Sequence, residues 1–169
     1  GTLKLQEKVG LFQVLEDISA PVTNTYPMPM EKLDQNYGYI LYRTALEREQ
    51  NLEKIRLWGA NDRANIFVDE KPVVTLYDRE LLSEVQVKVD FKAGTSMDIL
   101  VENMGRVNFG PRMEHQRKGI EGCVQLNGHI HYNWNMYTLP LDNLEKLDFT
   151  KGYREGTPGF YRFTFEVEE

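Results

Sequence analysis

A dense group of hydrogen-bonding side chains lies within residues 98–111, at Glu102, Asn103, Arg106 and Asn108. The stretch begins with the alternation of a strand and ends among glycine and proline, which predicts a strand followed by a loop. Such a loop can hold its own shape through internal bonds, or it can recognise a polyhydroxylated ligand. We expect Arg106 to shape the loop through Glu102 and Asn103, because a guanidinium carries five donors in a rigid fork.

Aromatic and amide side chains alternate within residues 132–137. A sugar site needs an aromatic face beneath the pyranose ring and fixed polar groups for its hydroxyls. Trp134 and Tyr137 are therefore candidates for a sugar platform, with core filling as the alternative for both. Trp58 follows Leu57 and is predicted to lie in the core.

The residues that would support catalysis are not apparent. A retaining glycosidase needs two carboxylates about 5 Å apart in a cleft, but a chain with 26 acidic residues contains many accidental pairs. A catalytic (β/α) barrel needs about 250 residues and alternating helices. The Gly-x-Ser-x-Gly sequence of serine hydrolases is missing. We predict no catalytic residue and no cofactor in this chain.

His129 and His131 are the best metal candidates, since residues two apart share one face of a strand. No third ligand is evident, so we interpret them as ordinary strand histidines and predict no metal site. The spacing of acidic residues that is typical of calcium loops is also missing. Cys123 is the only cysteine, which excludes an intrachain disulfide, and its apolar neighbours predict a buried thiol.

Composition and charge limit the kinds of molecule that this chain is predicted to bind. The 169 residues are 41% hydrophobic and 27% charged, with a net charge of −6 and both signs interspersed. The sequence shows no basic patch for nucleic acid and no polybasic run for an anionic membrane, so neither partner is predicted. No signal peptide is recognisable, which leaves the localisation open.

Strand-like segments recur about every 8–12 residues, a rhythm typical of an all-β sandwich of the jelly-roll type. Val85, Val87 and Val89 alternate with polar residues and are predicted to point into the core. Helical signals are confined to single turns at 28–34 and 144–147. The strand candidates are 3–15 (with a break near Gly10), 37–44, 55–58, 64–68, 72–77, 85–89, 97–102, 122–126, 130–132, 136–139 and 161–167.

The chain divides by pattern into three parts. Residues 1–36 read as an N-terminal strand and linker, 37–155 as the sandwich, and 156–169 as a closing strand that could lead into a second β-domain. The sequence begins without methionine and ends inside a strand-like pattern, so we interpret it as a fragment of a longer protein.

The ten residues 101–110, Val-Glu-Asn-Met-Gly-Arg-Val-Asn-Phe-Gly, resemble the signature of the non-catalytic, galactose-binding-like β-domain of family 35 β-galactosidases. Segments 37–43, 62–69, 124–128 and 158–162 resemble successive parts of that family in the same order. The resemblance covers nearly the whole chain.

The resemblance implies a context for the loop. In that family a catalytic barrel, which carries both catalytic glutamates, precedes two β-domains, and this chain is similar to the first. Asn103, Arg106, Asn108 and Phe109 would face the barrel or its sugar. The family usually has Tyr where this chain has Phe109, so packing or stacking replaces a hydroxyl contact, and we expect the ring to be at least partly exposed.

Three function classes follow. The first is an accessory domain that braces the barrel and shapes its galactoside pocket, with the barrel and the second β-domain as partners. The second is an autonomous carbohydrate-binding module, which would bind sugars saturably by itself. The third is an unrelated adhesion-type sandwich, which requires the resemblance to be accidental.

Overall fold

The computed structural model describes residues 2–48, 50–111 and 113–167. Short 3₁₀ turns lie at Met30–Leu33, Asp78–Leu82, Met113–His115, Leu144–Lys146 and Phe149–Lys151. The regular elements are β1 (Glu7–Gly10), α1 (Leu11–Ile18), β2 (Val22–Asn24), β3 (Tyr39–Leu46), β4 (Gln50–Leu57), β5 (Ala60–Asn61), β6 (Arg63–Val68), β7 (Lys71–Tyr77), β8 (Val85–Phe91), β9 (Thr95–Glu102), β10 (Gly119–Ile120), β11 (Val124–Leu126), β12 (His129–His131), β13 (Trp134–Leu139) and β14 (Gly159–Arg162).

Two antiparallel sheets form the body of the molecule. The larger sheet has the strand order β2-β13-β3-β9-β6-β7, and the smaller sheet has the order β12-β11-β4-β8. Strands that follow one another along the chain pass repeatedly from one sheet to the other, which is the connectivity of a jelly roll. The predicted all-β jelly-roll sandwich is confirmed, as are the single helical turns at Met30–Leu33 and Leu144–Lys146.

The main core lies between the two sheets. Alternate residues of the central strands point into it, so that Ile40 and Tyr42 of β3 are fully buried. The three valines of β8 are half-buried and pack against this core, as predicted, although β8 is an edge strand of the smaller sheet.

A second apolar layer covers the outer face of the larger sheet. The amphipathic helix α1 buries Leu11, Phe12, Val14, Leu15 and Ile18, and it packs on a separate cluster of sheet residues. The strand candidate over 3–15 is confirmed at Glu7–Gly10 and is wrong beyond Gly10, because α1 begins at Leu11. The spacing of these five side chains follows the period of a helix, and the sheet face supplies the surface that stabilises it.

The N-terminal and C-terminal strands pair with each other. β1 and β14 form an antiparallel ribbon from Glu7–Arg162 to Gly10–Gly159. The predicted strand over 161–167 is wrong beyond Arg162, and Phe163, Phe165 and Val167 are exposed. The division of the chain into 1–36, 37–155 and 156–169 stays a prediction.

None of the helices in the described ranges is long and apolar enough to cross a lipid bilayer. Cys123 is half-buried, so the prediction of a buried thiol is wrong.

Candidate functional site

The signature loop, residues 103–111, leaves the larger sheet where β9 ends, and Asn103 fixes its first turn. The backbone N–H of Asn103 donates to the carbonyl of Gly38 at 3.1 Å. Its side-chain Nδ2 donates to the carbonyl of Asn36 at 2.9 Å, while its Oδ1 accepts from the N–H of Gly105 at 3.0 Å. These three polar groups of Asn103 are all bonded within the protein, and the residue positions the loop.

Arg106 anchors the middle of the signature loop to two other segments. Its Nη1 lies 2.7 Å from Oε1 of Glu31 and donates to the carbonyl of Gln116 at 3.1 Å. Its Nη2 donates to the carbonyl of Asn36 at 3.3 Å. The expected loop-shaping role of Arg106 therefore has a structural basis.

The prediction that Arg106 bonds to Glu102 and Asn103 is wrong. Glu102 lies on the outer face of the larger sheet, where it accepts weak hydrogen bonds from Tyr39 and Arg63 at 3.4 and 3.5 Å. Asn103 bonds to backbone groups instead. Sequence neighbours of a loop arginine are candidates by proximity alone. The partners found here are Glu31 and Asn36, far upstream in the chain, and Gln116, ten residues downstream.

A buried ion pair beneath the signature loop gave no recognisable signal in the sequence. The side chain of Lys118 is only 1% exposed, and its Nζ lies 2.6 and 2.7 Å from the two carboxylate oxygens of Asp62. Oδ2 of Asp62 also accepts from the backbone N–H of Met104 at 2.9 Å. The carboxylate of Glu31 accepts from the backbone N–H of Lys118. Because Glu31 also pairs with Arg106, these contacts form one continuous polar base for the loop.

Apolar side chains project from this polar base. Phe109 is 91% exposed, which confirms the predicted exposure of its ring. Met104 and Val107 are about half exposed, and Asn108 is also on the surface. A rigid loop with an uncovered aromatic tip is suited to contact with a second surface.

An open groove of about 460 Å³ runs beside the signature loop. Met104 and Val107 form one side, and Tyr77 and Leu82 form the other. Asp62 in its floor is held by Lys118 and is therefore a poor candidate for an acid or a base. The geometry favours binding over bond-breaking chemistry.

The predicted sugar platform is wrong. Trp134 is completely buried and Tyr137 is 3% exposed, so neither ring presents a face to a ligand. Trp58, predicted to lie in the core, is instead 42% exposed. Its indole N–H donates to Gln125 at 2.9 Å, and the guanidinium of Arg56 lies 3.6 Å from the ring centre. Trp58 lies in the turn that follows β4, so the aliphatic residues before it do not place its side chain in the core.

The two histidines of β12 have different surroundings. His129 is exposed, whereas His131 is half-buried, with Nε2 2.9 Å from the hydroxyl of Thr44. Burial lowers the pKa of His131, and the negative charge of Glu47 partly opposes this effect. Across residues 2–48, 50–111 and 113–167, no group of three or more His, Cys, Asp or Glu side chains is arranged to hold a metal ion.

These features define an all-β sandwich domain whose signature loop is held on a polar base. The family model described as "Beta-galactosidase, first all-beta domain" matches residues 27–140, which include both sheets' central strands and the signature loop. The chain belongs to this family, and the unrelated adhesion-type sandwich is excluded.

Known relatives are β-galactosidases of greater length. The chain is 32% identical to a β-galactosidase of Xanthomonas manihotis over 96% of its own residues and 26% of that protein. It is 37% identical to a β-galactosidase of Mus musculus over 72% of its residues and 19% of that protein. The chain thus spans about a quarter or less of the relatives that it matches.

A solved GH2 beta-galacturonidase from Eisenbergiella tayi aligns with 82% of this chain and 25% of its own, at 17% identity and a TM-score of 0.43. This level of similarity adds nothing to what the strand order of the chain already shows.

Proposed function

We propose that this domain braces the catalytic barrel of a β-galactosidase and that the signature loop helps to form the rim of the galactoside pocket. The exposure of Phe109 carries the proposal, because the ring is 91% exposed at the tip of a loop with a fixed base. Family membership supports it, since relatives with the same domain are β-galactosidases. In this proposal the parent is a family 35 enzyme with a retaining mechanism, and a second β-domain follows residues 156–169.

The physical argument rests on buried area. An aromatic side chain that moves from water into an interface contributes about 1.5–3 kcal/mol. Phe109 gains little of this within the domain, so a covering surface would supply it. Because phenylalanine has no hydroxyl, the ring would act by packing against the pocket rim or by stacking on the sugar. Asn103 and Arg106 would position the loop without touching the substrate.

The test is Phe109→Ala in the full-length parent enzyme. We expect kcat/KM for a chromogenic β-galactoside to fall about tenfold, the equivalent of about 1.4 kcal/mol of lost contact. In the 169-residue chain the same change should move the melting temperature by no more than about 1 °C, because an exposed ring contributes little to stability.

Two further variants sharpen the test. Phe109→Tyr keeps the ring and should keep kcat/KM close to wild type. Ile130→Ala removes another exposed apolar side chain, 39% exposed on the smaller sheet, and should leave the kinetics unchanged. Normal kinetics in Phe109→Ala, or an equal loss in Ile130→Ala, would contradict the proposed role of the loop.

A further inference from the structure

A second concave surface, here called the outer cleft, lies on the outer face of the larger sheet beside α1. Its volume is about 360 Å³, near the lower end of the range of about 300–1,000 Å³ for small-molecule sites. Its apolar lining includes Leu11 of α1, Leu100 and Leu139 of the sheet, and Phe160 of β14. The cleft is therefore assembled by the helix, the sheet and the terminal ribbon together.

A row of polar side chains crosses this apolar lining. Glu102 of β9 is paired with Tyr39 of β3 on one side and with Arg63 of β6 on the other. These three side chains belong to the lining of the outer cleft. The hydroxyl of Tyr39 lies 3.4 Å from Glu102, and the guanidinium of Arg63 lies 3.5 Å from it, so both contacts are long. Most of the hydrogen-bonding capacity of the row is consequently unused.

Asn65 of β6, two residues after Arg63, gives a second and independent observation. Its Oδ1 is buried and has no hydrogen-bond partner among the described residues. Buried polar atoms without a partner are rare in folded proteins and call for a ligand, a water or a strained compensation. Asn65 lines the outer cleft, and rotation of its side-chain amide would bring this acceptor to a ligand hydroxyl there.

With their ordinary protonation near neutral pH, the side chains of the row offer both hydrogen-bond donors and hydrogen-bond acceptors. Burial and the neighbouring carboxylate of Glu102 raise the pKa of Tyr39, so the phenol retains its proton near neutral pH. Arg63 and Glu102 have opposite charges and sit in one ion pair, which leaves the cleft without a net charge from this pair. A neutral ligand with several hydroxyls matches this arrangement better than an anion or a cation does.

We propose that the outer cleft binds a single neutral hexopyranose unit. The apolar face of the sugar ring would lie against the partly exposed side chains of Leu141 and Phe160, and its hydroxyls would bond to Arg63, Glu102 and Asn65. The site is separate from the signature loop and does not depend on a role for Phe109.

The test is a titration of the isotope-labelled 169-residue chain with D-galactose, monitored by amide chemical shifts. We expect saturable shifts centred on Tyr39, Arg63, Asn65 and Glu102. D-galacturonate, the anionic counterpart, should bind no more tightly than galactose.

Asn65→Ala separates binding from folding. The variant should bind galactose about fivefold to tenfold more weakly, as expected for one lost hydrogen bond. Its melting temperature should not fall, because the substitution removes an unpartnered buried atom. Asn135→Ala, on the same sheet face but outside the cleft, should bind like wild type.

Three results would overturn the proposal: no saturable shift at tens of millimolar galactose, shifts centred elsewhere on the surface, or unchanged affinity in Asn65→Ala. A preference for galacturonate would overturn the assignment to a neutral sugar. None of these results would bear on the kinetics of Phe109→Ala, so the two proposals fail separately.

Discussion

At the residue scale, the signature loop owes its shape to contacts with distant segments. Arg106 joins Glu31, Asn36 and Gln116, which approach from two other parts of the chain. Asp62 and Lys118 add a buried ion pair below it. Several charged hydrogen bonds that share partners act as one unit, so the loss of a single member should loosen the whole base.

Arg106→Ala should lower the free energy of unfolding of the domain by about 1–2 kcal/mol, because hydrogen bonds to charged groups are lost at a partly exposed site. For a domain of this size the melting temperature should fall by about 3–6 °C. Arg154 is the matched control, since its side chain is 52% exposed and pairs with Glu70 at 3.3 Å. Arg154→Ala should have a smaller effect, and equal effects would show that Arg106 has no special structural role.

His131 makes stability depend on pH. Its pKa is lowered in the folded protein by burial, so the folded state disfavours the charged imidazole. Above the ordinary histidine pKa of about 6.5, the free energy of unfolding is not reduced by His131. As the pH falls below this value and through the lowered folded-state pKa, the free energy of unfolding decreases, because the unfolded state binds the proton more readily.

Replacement of His131 by glutamine should therefore reduce the drop in melting temperature between pH 7.5 and about pH 5 that this group causes. His129→Gln is the control, because His129 is exposed two residues away on the same strand. We would discard the assignment if both variants showed the same pH dependence as wild type.

At the scale of elements, the docking of α1 on the larger sheet creates a second apolar layer and one wall of the outer cleft. Beneath it, Arg43 pairs with the buried carboxylate of Asp98 at 2.7 Å, so the charge on the covered sheet face is matched. An eight-residue helix is marginal in water, and its stability must come from this packing.

Leu15→Ala should consequently destabilise the domain by about 2–5 kcal/mol in urea unfolding, since Leu15 is 1% exposed and its removal leaves a cavity. Glu16→Ala, at the next position on the exposed side of the helix, should change stability by less than about 0.5 kcal/mol. A loss below about 1 kcal/mol for Leu15→Ala would mean that α1 contributes little to the fold.

At the scale of the whole molecule, the two surfaces proposed for binding lie next to each other. Glu102 ends β9 in the outer cleft, and Asn103 opens the signature loop one residue later. The first feature suits a small neutral ligand, and the second presents an exposed ring to a larger surface. The chain spans only 26% of the length of the Xanthomonas manihotis relative, so most of that relative lies outside the matched domain.

Much of this architecture could be read from the sequence. Strict alternation identified β8 and β9, and the charged turn before β7 identified a hairpin, because the two-residue period of a strand is a local property. The string at residues 101–110 indicated the family and the polar loop. Exposure of Phe109 also followed from local context, since a loop tip has few neighbours of its own.

Other features depended on which surfaces meet in three dimensions. The apolar residues of 11–18 fit a strand or a helix until the outer face of the larger sheet selects the helix. Trp134 and Trp58 exchange their expected environments, because the register of β13 turns Trp134 into the core whereas Trp58 falls in the turn after β4. Tertiary contacts also join residues that are far apart in the chain. Examples are the Arg106–Glu31 pair, the Asp62–Lys118 pair and the row Tyr39–Glu102–Arg63. Local sequence patterns reflect the periodicity of strands and helices. Contacts between distant residues form only when the two sheets pack together, so no local pattern predicts them.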